Sequence, residues 1–233
     1  MKRFCRYFLL AAVLLACLPF AYAQSGVDIG IGFGAVQAPA ASTGLDPNTL
    51  LSCTLGSNPT GSGCASTPSL STFMLGFGGD LMLWKKFGVG AEVNVQPSKQ
   101  NYVVLSPANL SQGQGQINLQ SRVTLYDFNG IYQPVKTKRV GLKLEGGVGG
   151  ANIKFYESGS QTTALTGSQN FSQYFGSSNH FQVHGGVGVQ IYLTEHVFIR
   201  PQFDIHYVHN LFQFGRDAVT EETVWLGYSF GGQ

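Results

Sequence analysis

The chain has 233 residues, 31 glycines, four cysteines, a hydrophobic content of 43% and a formal net charge of +2. Basic residues are too few to indicate a nucleic-acid-binding surface, so nucleic acid is excluded as a partner. Without Lys2, Arg3 and Arg6 of the first 23 residues, 11 basic residues remain beside 12 acidic ones, a net charge of −1, on a length that suits one all-β domain.

The first 23 residues have the features of a secretory signal. Basic residues precede an apolar run from Phe8 to Leu18, and Ala21-Tyr22-Ala23 follows it. We therefore predict that residues 1–23 are a Sec signal peptide cleaved after Ala23, and that residues 24–233 form the mature domain. The run is shorter than the about 20 apolar residues that a membrane-spanning helix needs. A lipid anchor at Cys17 is a weaker alternative.

Eight later segments alternate apolar and polar residues, as strands do when their two faces meet different surroundings. The segments are Val27–Val36, Thr72–Leu83, Phe87–Val95, Gln116–Phe128, Val140–Ile153, Phe181–Leu193, Val197–Val208 and Thr223–Phe230. Their lengths match the about 9–11 residues of a tilted membrane-spanning strand. The connections at 37–71, 96–115, 154–180 and 209–222 are long, whereas those at 84–86, 129–139 and 194–196 are shorter. This alternation predicts four long outer loops and three shorter periplasmic turns.

The polar face of these strands is rich in glycine, which weakens a strand unless neighbouring groups need the space. The bore of an eight-stranded barrel is only wide enough to be filled by side chains, so glycines there make room for larger charged residues. We therefore expect the apolar rows to face lipid and the polar rows to face the lumen. A soluble exported barrel or sandwich, with its apolar face inward, is the alternative. The charged and histidine members of the predicted lumen network are Asp28, Asp80, Glu92, Arg122, Lys143, Glu145, His184, Arg200, Asp204 and His206.

Individual residues add four further expectations. Val123 and Leu125 belong to the outward apolar row of the fourth segment, which leaves Asp127 on the same outward side, where we expect it to lie beyond the bilayer. Pro201 cannot donate a hydrogen bond to the ladder of a closed barrel, so a β-bulge is predicted there. Tyr192 is assigned to an aromatic girdle near the short turns.

A disulfide is predicted in the first long connection. Cys53 and Cys64 lie in a Gly/Ser/Pro-rich segment of an exported chain, where oxidising conditions favour a bridge. Closing a loop of this size stabilises the folded protein by roughly 3 kcal/mol if the effect comes from the lower entropy of the unfolded chain. Two free thiols are the alternative, and a metal site would need more ligands than this pair provides.

With an export signal, eight amphipathic strands and a chain that ends in VWLGYSFGGQ, the sequence resembles the small outer-membrane β-barrel proteins of Gram-negative bacteria. This superfamily includes the OmpA transmembrane domain, OmpX and OmpW. The resemblance implies an all-β, eight-stranded antiparallel up-and-down transmembrane β-barrel in the outer membrane, with membrane lipid and the barrel assembly machinery as partners. Members typically end on an aromatic residue that the assembly machinery recognises, whereas Phe230 is followed by three more residues here.

The sequence leaves three kinds of function open. The preferred one is a non-enzymatic barrel with a structural role or a surface-interaction role, in which the loops contact an unknown extracellular partner. A narrow porin-like channel for small solutes is the second. The third is a lipid-modifying enzyme, since "IHYVHNLF" resembles the His-x-Ser-Asn stretch of lipid A deacylases at His206, but Val208 replaces the nucleophilic serine.

The sequence predicts no cofactor and no metal. His180 and His184 would share a helix face, but on a strand they lie about 13 Å apart. Two glycine-rich stretches, 146–150 and 185–190, have no helix after them, so a phosphate-binding loop is not indicated.

Overall fold

The computed structural model describes residues 26–38, 70–105, 116–163, 167–211 and 217–231. Cys53, Cys64 and the signal segment lie outside these ranges, so the disulfide and the cleavage site stay predictions. In the described ranges no helix is long and apolar enough to span a bilayer.

Nine strands make up most of the described chain. They are β1 (Val27–Gln37), β2 (Thr72–Met82), β3 (Phe87–Val95), β4 (Gln100–Leu105), β5 (Gln116–Lys136), β6 (Val140–Thr163), β7 (Gly167–Tyr192), β8 (Val197–Val208) and β9 (Ala218–Phe230). Eight of them form one antiparallel ring, which closes where β3 pairs with β5 and β1 pairs with β9. β4 follows β3 after a break at 96–99 and pairs with the far end of β5. The predicted eight-stranded up-and-down barrel is confirmed.

The pairing register fixes how far the strands are inclined. Moving from Val27 to the paired residue on each neighbouring strand leads once around the ring and back to β1 at Gln37, ten residues further along the chain. The intermediate partners are Leu81, Val89, Gly130, Gly146, Gly185, Ile205 and Thr220. A stagger of this size in eight strands inclines them by roughly 40° to the barrel axis and leaves a bore that side chains fill.

The strands extend further than the apolar alternation predicted. Within the predicted loop 154–180, residues 154–163 continue β6 and pair with residues 167–180, which belong to β7, and part of the predicted loop 96–115 is β4. β5 continues to Lys136, so the short turn occupies 137–139 rather than 129–139. Backbone pairing needs no apolar face, and for this reason polar Ser, Gln, Asn and Thr segments joined the sheet without alternating.

The outer surface of the barrel is apolar. Phe77 and Phe128 are 58% and 66% exposed, and most outward positions of the ring between the rims are Val, Leu, Ile, Phe or Tyr. Near the short turns, Phe87 stacks on Tyr132 with ring centroids 5.0 Å apart. Exposing such a continuous apolar surface to water is unfavourable, whereas contact with lipid hydrocarbon is favourable.

β5 corrects the predicted faces. Its inward row is Val123, Leu125, Asp127, Asn129, Ile131 and Gln133, all buried, whereas Arg122 lies on the outward side near the long-connection rim. The apolar alternation in the first half of β5 predicts a lipid-facing row, but the lumen at the long-connection end is itself apolar. Asp127, predicted to lie outside, is therefore an interior residue.

Two further predictions about single residues are wrong. Pro201 causes no bulge, because the β7–β8 register is the same on both sides of it, and only the pairs at 189–190 with 200–201 are missing. Pro201 retains Val224 as its partner on β9. The barrel thus accommodates the proline by a local gap in the ladder. Tyr192 is buried inside and contacts Phe198 rather than lying in a girdle.

Candidate functional site

The inward side chains of β8 follow the lumen from one end of the barrel to the other. From the short turn upward they are Phe198, Arg200, Gln202, Asp204, His206 and Val208, and each is buried. The lumen therefore changes from aromatic to charged, then to amide, carboxylate and histidine groups, and ends apolar at the mouth.

The ion-pair layer consists of Asp80, Lys143 and Arg200. Lys143 Nζ lies 2.7 Å from Asp80 Oδ2 and 2.7 Å from Glu145 Oε2. Arg200 Nη1 donates to the same Asp80 oxygen at 2.8 Å and its guanidinium lies over the ring of Trp225. A buried carboxylate needs such partners, because it has lost its hydration shell.

The acid cluster lies next to this layer and consists of Glu92, Glu145, His184 and Asp204. One ligand-type atom from each of the four side chains lies within 4.8 Å of the others. Gln202 Nε2 donates to Glu145 Oε1, and also to Asp204 Oδ2 at 2.9 Å. Glu92 Oε1 and Asp204 Oδ1 are buried and have no hydrogen-bond partner in the described part of the chain.

The histidine pair is formed by His184 and His206, whose rings stack with centroids 5.2 Å apart. Asp127 Oδ1 lies 3.0 Å from His184 Nδ1, although the angle is poor for a hydrogen bond, and Glu221 Oε2 lies 3.2 Å from His206 Nε2. Gln182 Nε2 donates to both oxygens of Asp127, at 2.8 and 2.9 Å. Both acids thus face imidazoles inside the lumen.

The mouth cluster fills the lumen at the long-connection end. Its members are Val36, Ala38, Leu70, Met74, Val123, Leu125, Ala151, Ile153, Val208, Leu211 and Val219, and Phe155 packs against it. An apolar layer at this height explains why β5 carries valine and leucine on its inward side.

Inward glycines make room for large lumen side chains. A Cβ on Gly32 would lie 3.1 Å from ring atoms of Trp225, and one on Gly186 would collide with Asp204 Oδ1. Even with these glycines, the cavity beside Arg200 and Trp225 is only about 10 Å³, room for one water molecule.

The structure places nine of the ten predicted network residues on the lumen side. Asp28, half-buried, accepts a hydrogen bond from Gln190 Nε2 at 3.0 Å, and Arg122 is the exception, donating from Nε to the carbonyl oxygen of Gln96 at 2.7 Å. Asp127 and Glu221 are lumen acids that the sequence prediction missed. Asp127 carried a signal, since an acid among lipid-facing residues contradicts its assigned face. The alternating segment of the sequence begins only at Thr223, so Glu221 is predicted to lie in a loop, whereas β9 already begins at Ala218.

A second candidate site is the extended sheet, which we define as β4 together with residues 116–123, 154–163 and 167–181. β8 pairs with β7 only from residue 182 onward, so this sheet continues beyond the ring. Tyr174 and Phe175 are more than half exposed on it. Tyr174 contacts Tyr156 edge-on, and Lys99 Nζ lies 4.0 Å from the centre of the Tyr156 ring.

The sequence matches a family model described as the outer membrane protein β-barrel domain over residues 8–230. No match was found among curated protein sequences.

Several solved structures are similar to this chain. The Ail attachment invasion locus protein of Yersinia pestis is 12% identical, with a TM-score of 0.39, over 88% of this chain and 97% of that one. The N-terminal β-barrel domain of Pseudomonas aeruginosa OprF is 12% identical, with a TM-score of 0.43, over 89% and 98% of the two chains. OprG from Pseudomonas aeruginosa is 13% identical, with a TM-score of 0.44, over 90% and 100%.

Proposed function

Since the chain belongs to the outer membrane protein β-barrel domain family, we propose that it is a non-enzymatic outer-membrane barrel whose extended sheet binds a partner outside the cell. The lumen, in this proposal, is a packed core that holds the sheet in place. Membrane lipid contacts the apolar outer surface, and the assembly machinery recognises the last strand, where Tyr228 and Phe230 both face outward.

The extended sheet is the observation on which the proposal rests. Residues 167–180 contain only Gly, Ser, Gln, Asn, Phe, Tyr and a terminal histidine, with no charged side chain of the Asp, Glu, Lys or Arg type. Tyr, Ser, Gly and Asn are the residues with which antibody loops form adaptable binding surfaces, because aromatic rings supply contact area and small polar groups supply hydrogen bonds. The backbone of this segment is paired with β6 on both sides of a register shift at Phe175.

The lumen geometry argues against transport as the function. Described side chains fill the bore at the ion-pair layer and again at the mouth cluster. A conducting path would have to cross both layers, and desolvating an ion in the apolar one is costly.

The position of His206 argues against lipid-modifying chemistry. The residue is fully buried in the lumen and contacts Glu221, Asp127 and His184 rather than the lipid-facing surface. A lipid acyl chain lies outside the barrel wall. A general base for acyl transfer needs to reach both the nucleophile and the substrate.

Whole-cell binding tests the proposal. Cells that display the wild-type protein should bind at least one member of an array of extracellular-matrix proteins and surface glycans, and the Tyr174→Ala/Phe175→Ala variant should lose most of that binding. Lys138→Ala, in the turn 137–139 at the rim opposite the extended sheet, is the control and should bind as the wild type does. Binding that is unchanged in the aromatic variant, at equal surface amounts, would contradict the assignment to the extended sheet.

A further inference from the structure

The acid cluster contains buried polar atoms that no described residue satisfies. Glu92, His184 and Asp204 are 4%, 5% and 2% exposed. Glu92 Oε1 and Asp204 Oδ1 accept no hydrogen bond from any described residue, and neither ring nitrogen of His184 has a described partner in good hydrogen-bond geometry. Buried polar groups without partners are rare and unfavourable, so a missing partner is indicated.

The charge balance of the lumen indicates that the missing partner is positive. Among the described residues the lumen holds seven carboxylates and two permanent cations, Lys143 and Arg200. The carboxylates are Asp28, Asp80, Glu92, Asp127, Glu145, Asp204 and Glu221. Both cations already contact Asp80, and Lys143 also contacts Glu145. Glu92 and Asp204 have no cation of their own at salt-bridge distance among the described residues.

We propose that the acid cluster is a binding site for a divalent transition-metal ion of the Zn²⁺ type, held by Glu92, Glu145, His184 and Asp204. Donors around a tetrahedral zinc ion lie about 2.0–2.2 Å from the metal and hence about 3.4 Å from one another, so atoms already within 4.8 Å of one another need to approach by at most about 1.4 Å. One imidazole among the ligands favours zinc over Mg²⁺ or Ca²⁺, which take six or more oxygens.

The surroundings of His184 support the same assignment. Asp127 Oδ1 faces its Nδ1 at 3.0 Å, the position in which a carboxylate beside a metal-binding histidine holds the ring. Asp127 is itself held by Gln182. A second arrangement, formed by Asp127, His184 and His206, shares the same imidazole, so the experiment must distinguish the two.

The metal content of refolded barrels tests the site. Because the mouth cluster covers the lumen, Zn²⁺ should be supplied while the urea-unfolded protein refolds into detergent, and free metal removed before elemental analysis. Wild-type protein should retain one Zn²⁺ per barrel, whereas Glu92→Gln and Asp204→Asn should bind at least tenfold more weakly. Glu222→Gln removes an exposed carboxylate from the outer surface of β9, next to the inward Glu221, and should behave as the wild type does. Mg²⁺ in the same protocol should be lost on desalting.

Thermal unfolding separates metal binding from a purely structural role. With EDTA, Glu92→Gln should unfold at the same temperature as the wild type or higher, since it removes a carboxylate that adjacent acids repel. With Zn²⁺, only the wild type and Glu222→Gln should gain stability. Lower stability of Glu92→Gln in both conditions would overturn the proposal, as would wild-type barrels without stoichiometric zinc. Zinc retained by both cluster variants but lost in His206→Gln would assign the metal to the other arrangement.

Discussion

Lys143 joins two buried carboxylates, Asp80 and Glu145, and is the only cation among the described residues that does so. Lys143→Met should therefore leave negative charge uncompensated in the lumen and cost about 3–5 kcal/mol of unfolding free energy, the usual loss when one partner of a buried ion pair is removed. Urea unfolding in detergent micelles measures this. Lys154→Met, at an exposed position further along the same strand, should change stability by less than about 0.5 kcal/mol. Equal midpoints for the two variants would mean that the lumen is hydrated and the charges screened.

Gly227 tests whether lumen glycines are required for space. A Cβ at this position would overlap the ring of Phe198, its direct partner on β8. Gly227→Ala should cost about 1–3 kcal/mol, as overpacking does, and lower the temperature at which the folded band disappears from a detergent gel. At Gly130, on the outer surface, a Cβ would meet only a carbonyl oxygen at 3.6 Å, so Gly130→Ala is the matched control. A comparable loss in both variants would trace the effect to backbone conformation instead.

At the scale of the strand, the mouth cluster is a packed core inside a membrane barrel. Ile153 is fully buried in it, whereas Ile191 is 41% exposed on the lipid-facing surface. Ile153→Ala should leave a cavity and cost about 2–5 kcal/mol. Ile191→Ala should cost less, because lipid fills the space. Urea titration of both variants in the same vesicles compares them, and an equal loss would show that the mouth is not tightly packed.

The sequence predicted which side faces the lumen for seven of the eight ring strands, and β5 shows why it failed for the eighth. Alternation reports that two faces differ, and lipid-facing rows are apolar wherever a polar lumen lies behind them. At the mouth the lumen is also apolar, so Val123 and Leu125 gave the same signal as a lipid-facing row. Asp127, two residues after Leu125 in the same row, was the one residue that contradicted a lipid-facing assignment.

For the whole molecule, the sequence predicted the ring but not the contacts across its bore. Strand number, order and most faces follow from local alternation and connection lengths. The acid cluster instead combines Glu92, Glu145, His184 and Asp204 from four different strands, which the barrel stagger brings to one level. Spacing along one strand, such as that of His180 and His184, carried no information about this arrangement, and His180 in fact contacts the His209 carbonyl outside the cluster.

The filled bore has a consequence for the whole barrel that electrical recording measures directly. An ion passing through would displace the Lys143–Asp80 and Arg200–Asp80 pairs and then cross the apolar mouth cluster, where losing its hydration shell is costly. Purified folded protein in planar bilayers should therefore give no reproducible stepwise openings, while a general porin in the same bilayers serves as the positive control. Openings of constant size that vanish after the protein is heat-unfolded would contradict this, and would require the two layers to rearrange together, since opening either one alone leaves the other closed.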